Sequence, residues 1–177
     1  MARKAREKSP IGIYNVMLRA NDVLFREDGD YDEFLERLAL YFVDGARVLA
    51  YCLMENAVCM VIKESEQGIS KDMKPFITSY ARYYNNAYEG AGDVFNDRFK
   101  SEPIYDAKGV REAVVATHNL YEYLGADAYT GDEDLLDGDG LCDSKTVFSY
   151  FRPKSKYTQA MAADEIAYGA FYNVLKK

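Results

Sequence analysis

The residues of this chain that could carry chemistry are three cysteines, a single histidine, 16 tyrosines and a run of acids. Cys52, Cys59 and Cys142 are odd in number and lack the paired spacing of a zinc knuckle or a disulfide framework, so reduced thiols are expected. His118 has no second imidazole to pair with and reads as a structural residue or a nucleic-acid contact. A tyrosine phenolate can attack phosphorus, and Tyr121 and Tyr123 share a helical stretch with His118, although tyrosines so numerous also serve as packing. Tyr80, Tyr83, Tyr84 and Tyr88 recur at spacings of three and four. That suits a core-facing helical stripe with hydroxyls at its rim, and also a surface on which bases could stack. The run DLLDGDGLCD has the outline of a calcium loop, yet with Asp137 as first ligand the closing position is Phe148, which has no oxygen to offer. A solvated, glycine-rich loop is expected there.

Hydrophobic periods indicate the elements that must position these residues. IGIYNVMLR (11–19) alternates as a strand does, and residues 30–43 place Phe34, Leu35, Leu38, Tyr41 and Phe42 on one helical stripe. ARVLAYCLM (46–54) and AVCMVIK (57–63) are two apolar strands joined at Glu55-Asn56 as a hairpin. A helix follows over 69–89, with Ser70 as its cap and Pro75 in its first turns. VFNDRFKSEPI (94–104) is short and extended, residues 107–124 form a helix ended near Gly125, and further helices lie near 143–151 and 156–175. The order strand, helix, strand, strand, helix, short strand, helix predicts an α+β fold, an antiparallel sheet with helices packed on one face.

At 177 residues and 49% apolar, the chain can bury one substantial core. We expect a domain over 1–125, an acidic loop over 126–143 and a C-terminal helical extension over 144–177 packed on that domain. No window approaches the roughly 20 apolar residues of a membrane span, and the start MARKAREKSP lacks the apolar segment of a secretory signal, so a cytoplasmic protein without a membrane partner is expected.

The formal net charge of −7 argues against a general attraction to nucleic acid. Its placement changes that. Residues 127–143 hold seven acids and no base, which accounts for the whole net charge. Residues 1–8 carry four bases against one acid, and residues 144–177 carry six against two, so a polyanion could meet locally positive surface.

Three stretches, GIYNVMLR, AYCLMENAVCMVIKE and VFNDRFKSEPI, resemble the HUH-type single-tyrosine transposases of the REP-associated branch, in which they read approximately GIYHVMLRG, AYCLMPNHVHLLIKE and LFQDRFKSEPI. The match runs over about residues 5–125 in the same order and with similar spacing. The resemblance implies a ferredoxin-like sheet and a protein that binds folded single-stranded DNA hairpins. It also implies strands cut and joined through a tyrosine–DNA bond, with Mg²⁺ or Mn²⁺ held by two histidines.

At the catalytic positions the chain departs from that pattern. The resemblance puts Ala57 and Cys59 where the two histidines would stand, Ala116 at the nucleophilic tyrosine and Leu120 at a further metal ligand one turn later. Alanine and leucine have no donor atom, and one thiolate does not suit a hard cation. No intact catalytic set, no metal cofactor and no strand cleavage are therefore expected. The nucleic-acid contacts expected are Arg3, Lys4, Arg6, Arg19, Arg98, Lys100, Ser101 and His118, with Phe95 and Phe99 as aromatic neighbours. For Arg98 and Lys100, pairing with nearby acids is the alternative to DNA contact. Asn15 and Ala20 stand where relatives have histidine and glycine, which points to altered hairpin recognition. Two other readings stay open: an interaction module that has kept the fold without DNA, its acidic segment a docking site or DNA mimic, and an active transposase whose nucleophile has moved to Tyr121 or Tyr123. The oligomeric state, monomer or homodimer, is open too.

Overall fold

The computed structural model describes residues 5–43, 45–89, 92–120, 128–138 and 140–163. Strand β1 (Ile13–Arg19) is followed by helix α1 (Asp28–Tyr41), strands β2 (Arg47–Met54) and β3 (Ala57–Lys63), helix α2 (Ile69–Ala87), strand β4 (Lys100–Ile104) and helix α3 (Ala107–His118). Strand β5 (Ala128–Thr130) and helices α4 (Asp132–Asp137), α5 (Ser144–Tyr150) and α6 (Ser155–Ala162) complete the described chain. One five-stranded sheet runs in the order β4-β1-β3-β2-β5, and every pairing is antiparallel. The first four strands keep the ferredoxin-like order, and β5 is added at the β2 edge.

Helices lie on both faces of the sheet, where the sequence had suggested one. α1 and α2 cover the face that carries Val16, Leu18, Val58 and Met60, and Phe34 of α1 packs edge-on against Phe76 and Tyr80 of α2 at ring separations of 5.0 and 4.9 Å. Such pairs add about 0.5–1.5 kcal/mol beyond the area they bury. The opposite face, carrying Met17, Cys52 and Cys59, is closed by α3 and by Leu120 just past its end. α5 and α6 then pack on α3 through buried Val147, Phe151 and Tyr157. Strands with apolar residues on both faces need two covers.

The acidic segment is more structured than a loop. Residues 128–130 pair with β2 from Met54 to Cys52, and the Gly131 N–H donates to the Tyr51 carbonyl at 3.2 Å. A side chain on Gly131 would come within 2.6 Å of the Tyr51 ring and 2.8 Å of Cys142 Sγ, so only glycine lets the chain close on the sheet here. Ser70 is not the cap of α2. Gly68 holds that position at φ 90°, and the Glu64 carboxylate accepts the Ile69 N–H at 2.8 Å. Pro75 lies inside this helix. The expected helix beyond Asn119 and the end of the 156–175 helix fall partly outside the described residues.

The tyrosine stripe of α2 belongs to the core. Tyr80 and Tyr84 are buried and donate to the carbonyls of Leu24 and Val23, while Tyr83 and Tyr88 donate to the carboxylate of Asp30 at 2.8 and 2.7 Å. Asp30 also accepts the backbone N–H groups of Arg26 and Glu27 as the third residue of a capping box that starts α1. The fully buried carboxylate thus ties the start of α1 to the outer rim of α2. Replacing Asp30 with alanine leaves four donors without their acceptor, and we expect a loss of about 2–4 kcal/mol in urea denaturation, larger than for Tyr83→Phe or Tyr88→Phe alone.

Candidate functional site

Pairing register brings residues from all five strands into rows. Lys100 lies opposite Met17, Met17 opposite Cys59, Cys59 opposite Cys52, and Cys52 opposite Thr130. The neighbouring row on the same face runs Arg19, Ala57, Met54, Ala128. Under α3 these rows close into a cluster of Met17, Cys52, Met54, Ala57, Cys59 and Leu120, none more than 5% exposed. Ala57, Cys59 and Leu120 are thus in one place, and Ala116, also buried, sits one helical turn before Leu120 but outside this cluster.

The chemistry of this cluster is that of a dry pocket. Its side chains offer no nitrogen or oxygen. Burial, with the nearby Cys52, pushes the Cys59 thiol far above its ordinary value, so it stays protonated. Among the described residues no three histidine, cysteine, aspartate or glutamate side chains converge as a metal would need. A Mg²⁺ or Mn²⁺ ion, which takes oxygen ligands and keeps waters, does not fit these side chains.

His118 lies in the core, as the structural reading of it expects. It is 0% exposed at the end of α3, with Nδ1 2.7 Å from the Tyr157 hydroxyl of α6. Burial lowers its pKa to about 4, against a smaller opposing pull from Asp132. Tyr157 carried no signal in the sequence, because a separation of 39 residues gives no period that links the two.

The retained cations meet elsewhere, at the start of β4. Arg6, Asp97, Arg98, Phe99, Lys100, Ser101 and Glu102 line an open groove of about 380 Å³. Arg6 is half-buried here. Its Nε donates to Ser101 Oγ at 3.1 Å, its Nη2 donates to the Phe99 carbonyl at 2.6 Å, and its guanidinium lies 3.9 Å from the centre of the Phe99 ring. Desolvation, and to a lesser degree the Arg98 charge, lowers the Arg6 pKa. Arg98 and Lys100 are exposed. Among the described residues neither forms a salt bridge, although Asp97 and Glu102 moderate the local charge.

Other expected contacts are placed differently. Arg19 is half-buried on β1 and does not line the groove. Phe99 is 9% exposed beneath Arg6, and Phe95 is half-buried with its ring centre 6.4 Å from that of Tyr80. Tyr105, directly after β4, is the exposed aromatic residue nearby in sequence, its hydroxyl donating to Glu7. Arg3, Lys4, Tyr121 and Tyr123 lie outside the described residues.

No protein-family model and no curated protein matches the chain. Among solved structures, a REP-associated tyrosine transposase bound to a REP hairpin superposes with a TM-score of 0.62 at 12% identity, over 80% of this chain and 88% of that one. This chain has a transposase-like fold. A candidate transposase from Deinococcus radiodurans R1 also aligns, at a TM-score of 0.44 and 15% identity, over 70% of this chain and 96% of the other. Among the described residues of this transposase-like chain, no helix is long and apolar enough to cross a membrane.

The lone histidine makes a pH test specific. Its folded pKa lies below the ordinary 6.5, so the stability tied to neutral His118 is complete above about pH 6.5 and is lost as pH falls toward about 4. Urea denaturation at pH 7 and pH 4 should differ by about 3 kcal/mol more in the native protein than in His118→Gln. A single imidazole signal titrating near pH 6.5 by NMR would contradict the burial.

Proposed function

We propose that this protein is a transposase-like DNA-binding protein that grips single-stranded or hairpin DNA by its backbone and does not cut it. The observation that carries the reading is the groove at the start of β4, where Arg6, Arg98 and Lys100 gather beside the Ser101 hydroxyl. An anionic oxygen set among these cations receives charge-assisted hydrogen bonds. A phosphate of a nucleic-acid strand has the charge and the spacing for this. The fold shared with a transposase bound to a REP hairpin supports a nucleic acid over other polyanions.

Strand cleavage needs a nucleophile and a means of stabilising charge on phosphorus. Ala57, Leu120 and Ala116 supply neither. The protonated, enclosed Cys59 cannot reach a strand at the surface. The reading is therefore a binding protein without a cofactor, in which recognition outlives reaction. Arg19 and Lys100, on the sheet face that also carries Ala57 and Met17, extend the positive track toward the filled pocket.

Fluorescence anisotropy with a labelled DNA hairpin at two salt concentrations tests this. Binding in the micromolar order is expected, with log affinity falling linearly with log salt, and Arg98→Ala with Lys100→Ala should lower that slope by about one to two. No denaturant-resistant protein–DNA adduct should form. Absence of salt-sensitive binding would leave the interaction-module reading, and an adduct abolished by Tyr121→Phe or Tyr123→Phe would restore an active transposase.

A further inference from the structure

We propose that Met17, Cys52, Met54 and Cys59 form a binding site for one soft monovalent metal ion, Cu(I). Four of the six residues in the cluster beneath α3 carry sulfur, in a chain with only three cysteines and six methionines. Their placement is set by the sheet. Cys52 and Cys59 face each other across the β2–β3 ladder, and directly opposed residues bring their Cβ atoms within about 4.5–5.5 Å. Met17 opposes Cys59 from the other side, and Met54, two residues beyond Cys52, points to the same face. Two thiols thus sit between two thioethers on three central strands, shielded by Leu120.

The ligand set chooses the ion. Thiolate and thioether sulfur favour Cu(I), whereas Mg²⁺, Mn²⁺ and Ca²⁺ require oxygen that this pocket lacks. On binding, each cysteine thiol gives its proton to solvent as its sulfur bonds to the ion, the thioethers donate without losing anything, and copper remains Cu(I) throughout. The resulting dithiolate complex carries one negative charge. Arg19, opposite Ala57, and Lys100, opposite Met17, stand on the same face of the sheet to offset it. Its ligands are not among the residues that line the groove we assign to nucleic acid, although Lys100 stands in both places.

The test is an anaerobic titration of the reduced full-length protein with Cu(I) against a chromogenic Cu(I) chelator such as bathocuproine disulfonate. One equivalent of ion should be withheld from the chelator, with ultraviolet thiolate-to-copper absorption and a raised Tm, and Mg²⁺ should give neither. Cys59→Ser should abolish the retained equivalent. Met17→Leu combined with Met54→Leu, which preserves core volume, should weaken it at least tenfold, and Cys142→Ser should leave it unchanged. Circular dichroism checks folding, and should Cys59→Ser fail to fold, the methionine pair decides. Complete removal by the chelator, retention in the methionine double variant at native affinity, or loss in Cys142→Ser would each overturn the proposal.

Discussion

Pairing of β3 between β1 and β2 is the constraint from which the other features follow. Side chains alternate along a strand, so opposing Met17, Cys59 and Cys52 commits every second residue of three strands to the α3 side and the remainder to the α1–α2 side. The tight turn at Glu55-Asn56 holds that register, and its carbonyls accept N–H groups from Ala20, Leu24 and Phe25, fixing the chain that leaves β1. A slip of one residue would turn Val58 and Met60 under α3 and drive Cys59 into the aromatic core around Phe34 and Phe76. Both faces would then mispack, and the cost would rise with every strand involved.

Filling the α3 face with apolar side chains and thiols has a chemical consequence. Low polarity around Cys52 and Cys59 disfavours charge, which keeps the Cys59 thiol protonated and excludes hard ions and the waters that they carry. The same filling lets α3 lie closely on β2 and β3, and α5 and α6 then pack on α3 through Val147, Phe151 and Tyr157. His118 becomes a buried, neutral bridge between α3 and α6. Polar chemistry is displaced to the sheet edge, where β4 begins and Arg6 crosses Phe99.

Charge is segregated in the same spirit. The acidic stretch, which gives the chain its net charge, is partly built into the fold by β5 and α4 at the β2 edge, while the cationic groove lies by β4 at the opposite edge of the sheet. Four inter-strand spacings of about 4.8 Å separate β4 from β5, roughly 19 Å, about twice the screening length at physiological salt. At that distance Asp132 and Asp137 leave the local potential of the groove largely intact, and a net charge of −7 is compatible with a phosphate-binding edge.

Much of this was legible in the sequence because it depends on local periods. Alternation in IGIYNVMLR gave β1, the apolar run AVCMVIK gave β3, the stripe at 30–43 gave α1, and the turn at Glu55-Asn56 gave the hairpin, each within a few residues. Spacing also carried the resemblance that anticipated the transposase-like fold, and residue types alone showed that Ala57 and Leu120 offer no ligand. What the sequence could not determine were relations between distant segments. The second helical cover of the sheet, the addition of β5 to β2, the burial of His118 against Tyr157, the anchoring of Arg6 on Phe99 and Ser101, and the gathering of four sulfurs under α3 all depend on side chains separated by many residues. Those relations are decided by packing and desolvation in three dimensions, where the cost of leaving a face uncovered or a polar group unpaired selects partners that no local period can name.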